Sequence, residues 1–182
     1  MNVGMTNSDA ISITVFSSEL GWMGLLWSDA GLSRLIFGYA AESDVRQQLD
    51  CLEPSLDPLP SPLGELVLRL QRFASGAPDT FGDVPIDHAG RTVFQRVVLE
   101  QCRQIPIGTV VTYSQLAAAA GHPRAARAVG SVMAGNRVPL VIPCHRVVAA
   151  GGRLGGFSAP AGTAMKRRLL ELEKNTHSGS LT

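Results

Sequence analysis

The apolar run at residues 138–148 is interrupted by one polar tetrad, Pro143-Cys144-His145-Arg146. Two adjacent ionisable residues cannot be wholly buried in apolar surroundings at low cost. The run is therefore expected to surface at this point, and Asn136, Arg137 and Pro139 just upstream suit a loop that presents the cysteine. Nearby positive charge lowers a thiol pKa, and His145 and Arg146 follow Cys144 directly. Two readings stand side by side: a nucleophilic cysteine and a small core residue in a buried strand.

The charges of the chain are unevenly placed. Residues 1–90 hold 4 Lys/Arg against 12 Asp/Glu, and residues 91–182 hold 12 against 3, so a chain of net charge +1 divides into halves of −8 and +9. Such asymmetry fits a basic half that meets a polyanion, DNA or RNA, or a basic half that packs on an acidic one. With 45% apolar and 17% charged residues the chain reads as globular rather than disordered. No run approaches the roughly 18–20 apolar residues of a membrane span, and residues 1–10 lack the basic start and apolar core of a signal peptide. Three cysteines, Cys51, Cys102 and Cys144, make no CxxC pair and suit a reducing, intracellular setting, cytoplasmic or, in a eukaryote, nuclear. His88, His122, His145 and His177 do not fall at ligand spacing with any cysteine pair, so no metal and no cofactor are expected. The glycines of Gly151-Gly152-Arg153-Leu154-Gly155-Gly156 lack the strand–turn–helix setting of a dinucleotide site and read as a flexible loop over the active site.

Strands are predicted at residues 11–18, 22–27 and 32–39, the last two joined by the turn Asp29-Ala30-Gly31. Helices are predicted at 41–52 and 63–75, the second with Leu66, Leu70 and Phe73 on one face. Residues 53–62, with four prolines, read as a loop, and 77–90 as irregular. The sign change of charge sets a domain boundary near residue 90, giving domains 1–90 and 91–182. In the second, Thr92 with Gln95 makes a capping box for a helix to about Ile105, with Phe94, Val97, Val98 and Ile105 toward a core and Cys102 as a small buried hydrophobe. Thr112 caps a helix over 113–120, Gly121 ends it, and Pro123 starts a second helix to about Ala134 that carries Arg124 and Arg127 among small residues. This is the outline of a helix-turn-helix.

The blocks Tyr113-Ser114-Gln115-Leu116-Ala117, Ala125-Ala126-Arg127-Ala128-Val129-Gly130, Gly135-Asn136 and Ile142-Pro143-Cys144-His145-Arg146-Val147-Val148 together resemble the O6-alkylguanine-DNA alkyltransferases. The detailed match covers residues 92–174. The resemblance implies an α+β chain: a small N-terminal sheet-and-helix domain, then a mostly helical, winged-helix-like DNA-binding domain that carries the active site. It implies an enzyme of single turnover, a methylated-DNA–protein-cysteine S-methyltransferase acting as a monomer on double-stranded DNA through the minor groove. Cys144 would take the alkyl group from guanine O6, or from thymine O4. His145, bridged by a water and oriented by Glu173, would remove the thiol proton. Tyr113 would donate a proton to the departing guanine and help turn the phosphate. Asn136 would brace the turn carrying the cysteine. Arg127 would enter the duplex, with Arg124 and Ala126 beside it against the DNA. Met133, Val147, Phe157 and Ser158 would line the base pocket, the carbonyls of Cys144 and Val147 and the backbone at Ser158 holding the base edge.

The sequence departs from the family pattern in three places. Phe157 stands where a tyrosine is common, Ala159-Pro160 replaces a glycine pair, and the loop to Lys166 is about two residues longer by comparison with the motif. These changes touch the alkyl-side wall of the pocket. Competing functions are a DNA-damage sensor, a transcription regulator and a cysteine hydrolase. The first usually replaces the cysteine with tryptophan, the second needs an additional sensor domain, and the third needs an oxyanion hole that no motif supplies.

Overall fold

The structure, a computed structural model, describes residues 11–50 and 61–178. Three antiparallel strands, β1 (Ser12–Phe16), β2 (Trp22–Ser28) and β3 (Gly31–Tyr39), form one sheet in the order β1-β2-β3. Leu26 pairs with Arg34 and Trp27 with Leu32, so Ser33 is the extra residue of a bulge. The bulge lets Leu32, Leu35 and Phe37 all turn into the core despite their odd spacing. Helix α1 (Glu42–Gln48) lies against this sheet at Gly24, where an added Cβ would come within 2.6 Å of Val45 and Leu49. Only a glycine permits that approach.

Helix α2 (Ser61–Ala74) buries Leu63, Leu66, Leu70 and Phe73. It already includes Ser61 and Pro62, ahead of the expected start at Leu63, and a proline is tolerated in a first helical turn, where its missing N–H costs no hydrogen bond. The expected 41–52 helix ends early, at Gln48, with Leu49 as its C-cap and Asp50 in the left-handed region at φ +54°; Cys51, Leu52, the remaining part of the expected 53–62 loop and residues 1–10 lie outside the described residues. The irregular segment 77–90 is pinned by Arg69 to Asp79 and Asp83, and by Arg103 to the carbonyls of Phe81 and Val84. It also bridges β3, through Leu32 N–H to Pro85 O at 2.9 Å and Asp87 N–H to Leu32 O at 3.0 Å.

Helix α3 (Val93–Arg103) starts at the Thr92–Gln95 capping box. It buries Val98, Leu99 and Cys102, whereas Val97 is 37% exposed. The expectation that Val97 faces the core is thus corrected: the buried stripe runs along 98, 99 and 102, and Val97 sits about 100° away from Val98. A two-residue strand β4 (Val111–Thr112) leads into α4 (Tyr113–Ala119), capped by Thr112 and Gln115. Gly121, at φ +79°, ends α4 in a Schellman turn, with Gly121 N–H on Ala118 O and His122 N–H on Ala117 O. Helix α5 (Ala126–Ala134) follows. It starts later than Pro123 because residues 122–125 form a turn closed by Ala125 N–H to His122 O at 2.9 Å. Arg124 therefore sits in the turn, and Arg127 on the helix.

Helices α3, α4 and α5 pack on one another. Strand β5 (Val147–Val148) pairs in parallel with β4, and α6 (Thr163–Ser178) closes the chain over the site. Buried side chains from both sides of residue 90 belong to one core, and Leu35 N–H on β3 donates to Arg137 O at 2.8 Å. Among the described residues no helix is long and apolar enough to cross a membrane.

Candidate active site

The approach to Cys144 is an irregular loop held from within. Asn136 is buried; its Nδ2 donates to Ile142 O at 2.9 Å and its Oδ1 accepts from Val138 N–H at 3.1 Å. One side chain with a donor and an acceptor thus spans the bend at which Leu140 adopts φ +71°. The loop delivers Cys144, His145 and Arg146 as one 3₁₀ turn, and Val147 enters β5 directly.

The tetrad does not surface. Cys144 is 6% exposed, His145 0% and Arg146 3%. Its polar groups are instead satisfied by Glu173 from α6, itself 1% exposed. Glu173 Oε1 lies 2.7 Å from His145 Nε2 and 2.7 Å from Arg146 Nη2, and Arg146 Nε reaches both carboxylate oxygens at 3.1 Å. Gly108 N–H donates to Oε2 at 3.2 Å, and Arg146 Nη1 donates to Ile105 O at 2.6 Å. Burial pushes the Glu173 carboxyl upward, but the hydrogen bonds from His145 and Arg146 outweigh it and hold the pKa at about 2. Glu173 is an anion and accepts only, so His145 must donate from Nε2. That tautomer leaves Nδ1 with its lone pair. Nδ1 is buried and has no protein partner. Burial lowers the His145 pKa despite Glu173, so the ring is neutral at neutral pH.

The source of charge at Cys144 differs from the expectation. Arg146 is committed to Glu173 and Ile105 and is not the cation that bears on the thiol. Burial raises the Cys144 pKa, and the opposing influences are a hydrogen bond from Asn136, the charge of Lys166 and the backbone N–H groups of Cys144 and His145. Lys166 is 1% exposed, with Nζ donating to Val147 O at 2.6 Å. Sequence reasoning missed it. Lys166 precedes Leu169 by three residues and Glu173 by seven, which puts it on the buried stripe of α6; that periodicity was the available signal. Cys102 is a buried free thiol whose pKa burial pushes well up.

Cys144 opens onto a cavity of about 350 Å³ lined by Tyr113, Met133, Phe157 and Ser158, and by Gly130, Ala134 and Gly156, which the sequence reading did not single out. Tyr113, the first residue of α4, is half-buried, and burial next to the thiols keeps its hydroxyl protonated by raising its pKa. The loop from Gly151 to Gly156 reaches the cavity at Gly156, and at Gly155 it passes so close to the Tyr113 hydroxyl that an added Cβ would lie 3.3 Å from it. Val147 does not line this cavity; it is fully buried and its carbonyl takes Lys166. Arg127 and Arg124 are exposed, and Ala126 is half-buried at the start of α5. Among the described residues no group of His, Cys, Asp and Glu could hold a metal.

Comparison with known proteins finds relatives in sequence and in structure. The family model of the 6-O-methylguanine DNA methyltransferase, DNA binding domain, matches residues 93–175. The chain is 52% identical over 114 residues to the methylated-DNA–protein-cysteine methyltransferase of Methanopyrus kandleri, an alignment covering 61% of this chain and 80% of that protein. It is 35% identical over 179 residues to the methylated-DNA–protein-cysteine methyltransferase of Cricetulus griseus, covering 93% and 85%. The crystal structure of Mycobacterium tuberculosis OGT in complex with DNA superposes with a TM-score of 0.71 at 32% identity, covering 90% of this chain and 93% of that one. The chain belongs to the methylated-DNA–protein-cysteine methyltransferase family.

Proposed function

We propose that this protein repairs duplex DNA by moving an alkyl group from guanine O6, or thymine O4, onto its own Cys144, once per molecule. The observation that carries the reading is the combination at one cavity: Cys144 at its wall and, in the same turn, a neutral His145 anchored to Glu173. His145 Nδ1 takes the thiol proton through a bridging water, and the thiolate attacks the alkyl carbon. The S–C bond forms as the C–O6 bond breaks, and the electron pair passes into the guanine ring, which Tyr113 protonates. A saturated carbon suits a soft thiolate. The thioether product is stable, so the protein is consumed.

The base reaches the cavity only outside the stack, and unstacking costs a few kcal/mol. Arg127 on α5 fills the gap, Ala126 lets the helix lie close to the minor groove, and Arg124 in the preceding turn holds a phosphate. Met133, Phe157 and Ser158 form walls around the base, while the carbonyl of Cys144 and the Ser158 backbone meet its edge; Asn136 keeps the cysteine loop in register. The protein acts as a monomer wherever the cell keeps its DNA, in the cytoplasm or the nucleus. Its N-terminal domain ends near residue 90, just before the segment matched by the DNA-binding family model.

Peptide mapping after incubation with O6-methylguanine duplex tests the proposal. The methyl group should appear on the peptide holding Cys144 and be lost in Cys144→Ala. Label on Cys51 or Cys102, or an active Cys144→Ala variant, would overturn it.

A further inference from the structure

Phe157, Ala159 and Pro160, where the sequence departs from the family pattern, lie in the segment between Gly156 and α6. Phe157 is part of the wall of the Cys144 cavity. Ala159 and Pro160 line a separate space of about 650 Å³ between β3 and the loop that follows α5, and Ser158 lines both. The segment is thus a partition with a cavity on either side.

That partition rests on β3. Phe37 of β3, 2% exposed, meets the Phe157 ring edge to face with the centroids 6.2 Å apart. The next residue, Gly38, has φ +86°, and an added Cβ there would stand 3.0 Å from Met165 Cε and 3.7 Å from Pro160 Cδ. Two residues before Phe37, Leu35 N–H donates to Arg137 O at 2.8 Å. The strand is therefore fixed both to the loop that leads to Cys144 and to the segment that carries Phe157.

A ring in a close-packed interior touches many side chains, and the loss of one neighbour leaves the others in place. Phe37 is different, because it also lines the larger space. Along this direction Phe157 is backed by one ring and then by a void. A group on guanine O6 shares the Cys144 cavity with its base, so its room depends on where the Phe157 ring stands. We infer that Phe37 is a positioning residue for substrate size: from the N-terminal sheet it holds Phe157 in place and so limits how bulky an O6 substituent Cys144 accepts. The larger space takes no part in the reaction. The covalent step is the same for every substituent: the S–C bond forms, the C–O6 bond breaks, and guanine leaves with the electron pair and gains a proton. The inference rests on the reading of Cys144 as the acceptor.

The test uses the full chain with O6-methylguanine and O6-benzylguanine, each as the free base and in a duplex of one sequence. Single-turnover labelling of Cys144 is followed by intact mass. The benzyl-to-methyl rate ratio of each variant is compared with that of the wild type, which cancels the intrinsic reactivity of the two groups, and the methyl rate reports that the variant is folded and competent. Phe37→Ala should raise the ratio about tenfold, the low end of what one steric contact in an apolar pocket is worth. The rise should be the same for free base and duplex, since the wall acts on the substituent and not on the opening of DNA. Phe37→Leu, a milder change that keeps the test available if Phe37→Ala does not fold, should raise the ratio by a smaller factor. Phe37→Met, which restores length and bulk, should return it to within about twofold of wild type. An unchanged ratio in Phe37→Leu and Phe37→Ala would overturn the inference. So would an equal fall of both rates, which would leave Phe37 a merely structural residue. Failure of both substrates to label wild-type Cys144 would refute the acceptor reading itself, a distinct result.

Discussion

His145 Nε2 and Glu173 Oε1 stand 2.7 Å apart with both side chains sealed from solvent. The same carboxylate takes Arg146, so one residue of α6 neutralises the whole polar turn that carries the nucleophile. Removing one partner of a buried ionic group strands the others without water. Glu173→Gln should therefore destabilise the fold by about 3–5 kcal/mol, measured by urea unfolding. It should also slow alkyl transfer, since His145 loses the group that sets its tautomer. A variant of wild-type stability would show that the carboxylate does not compensate the turn.

Acid should act on the same cluster. Glu173 has a pKa of about 2 against an ordinary 4.5, and that of His145 is lowered from 6.5. In both cases the unfolded chain binds the proton more readily, so stability is full above pH 6.5 and falls as pH drops. The His145 contribution begins to be lost below 6.5. That of Glu173, about 3 kcal/mol by linkage, is lost between about 4.5 and 2. Unfolding free energies across this range check the sign; a stability that rose on acidification would contradict it.

Much of this architecture was legible in the sequence because it is local. The Thr92–Gln95 box, the Thr112 cap and the Gly121 stop are signals written within four residues, and each appears where the spacing put it. The start of α5 departs from the expectation because a turn over Pro123 and Arg124 competes with a helix there, and Pro123 fits both. The pairing of Arg146 with Glu173 joins residues 27 apart in sequence, and no local pattern reveals it. Within Lys166-Arg167-Arg168 the fold buries the lysine and leaves both arginines exposed, a division that rests on the packing of α6. The bulge at Ser33, which allows Leu32 and Leu35 to share a face, breaks the period on which strand reading depends.

Lys166 should support the thiolate through its charge. Lys166→Met keeps length and apolar bulk but removes the cation, so the Cys144 pKa should rise further. At a pH below that pKa, modification by iodoacetamide should slow with the falling thiolate fraction, on the order of tenfold if the pKa rises by about one. A full pH–rate profile separates this from misfolding, because a structural defect that exposed the thiol would move the profile the other way.

The two arginines at the helix pair should separate in kinetics. Arg127→Ala should slow transfer from duplex DNA far more than from a free modified base, because only the duplex must be opened. Arg124→Ala should weaken binding and leave the duplex-to-free-base ratio unchanged. Equal slowing of both substrates by Arg127→Ala would assign that residue to the pocket or the fold.

Affinity for DNA should fall with added salt, as Lys and Arg contacts to phosphate release counterions. The charge of the chain supports this, with +9 in residues 91–182 against −8 in residues 1–90. Binding measured from low to moderate salt checks it, and an affinity indifferent to salt would exclude phosphate contacts as its main source.

The one-time transfer to Cys144 is tested most directly by intact mass during titration with O6-methylguanine duplex. The account predicts a single gain of about 14 Da per chain, one CH₂ on a thiol. The gain should saturate at one equivalent of lesion and leave protein that cannot react again. Unmodified protein that clears many equivalents of lesion would contradict the account.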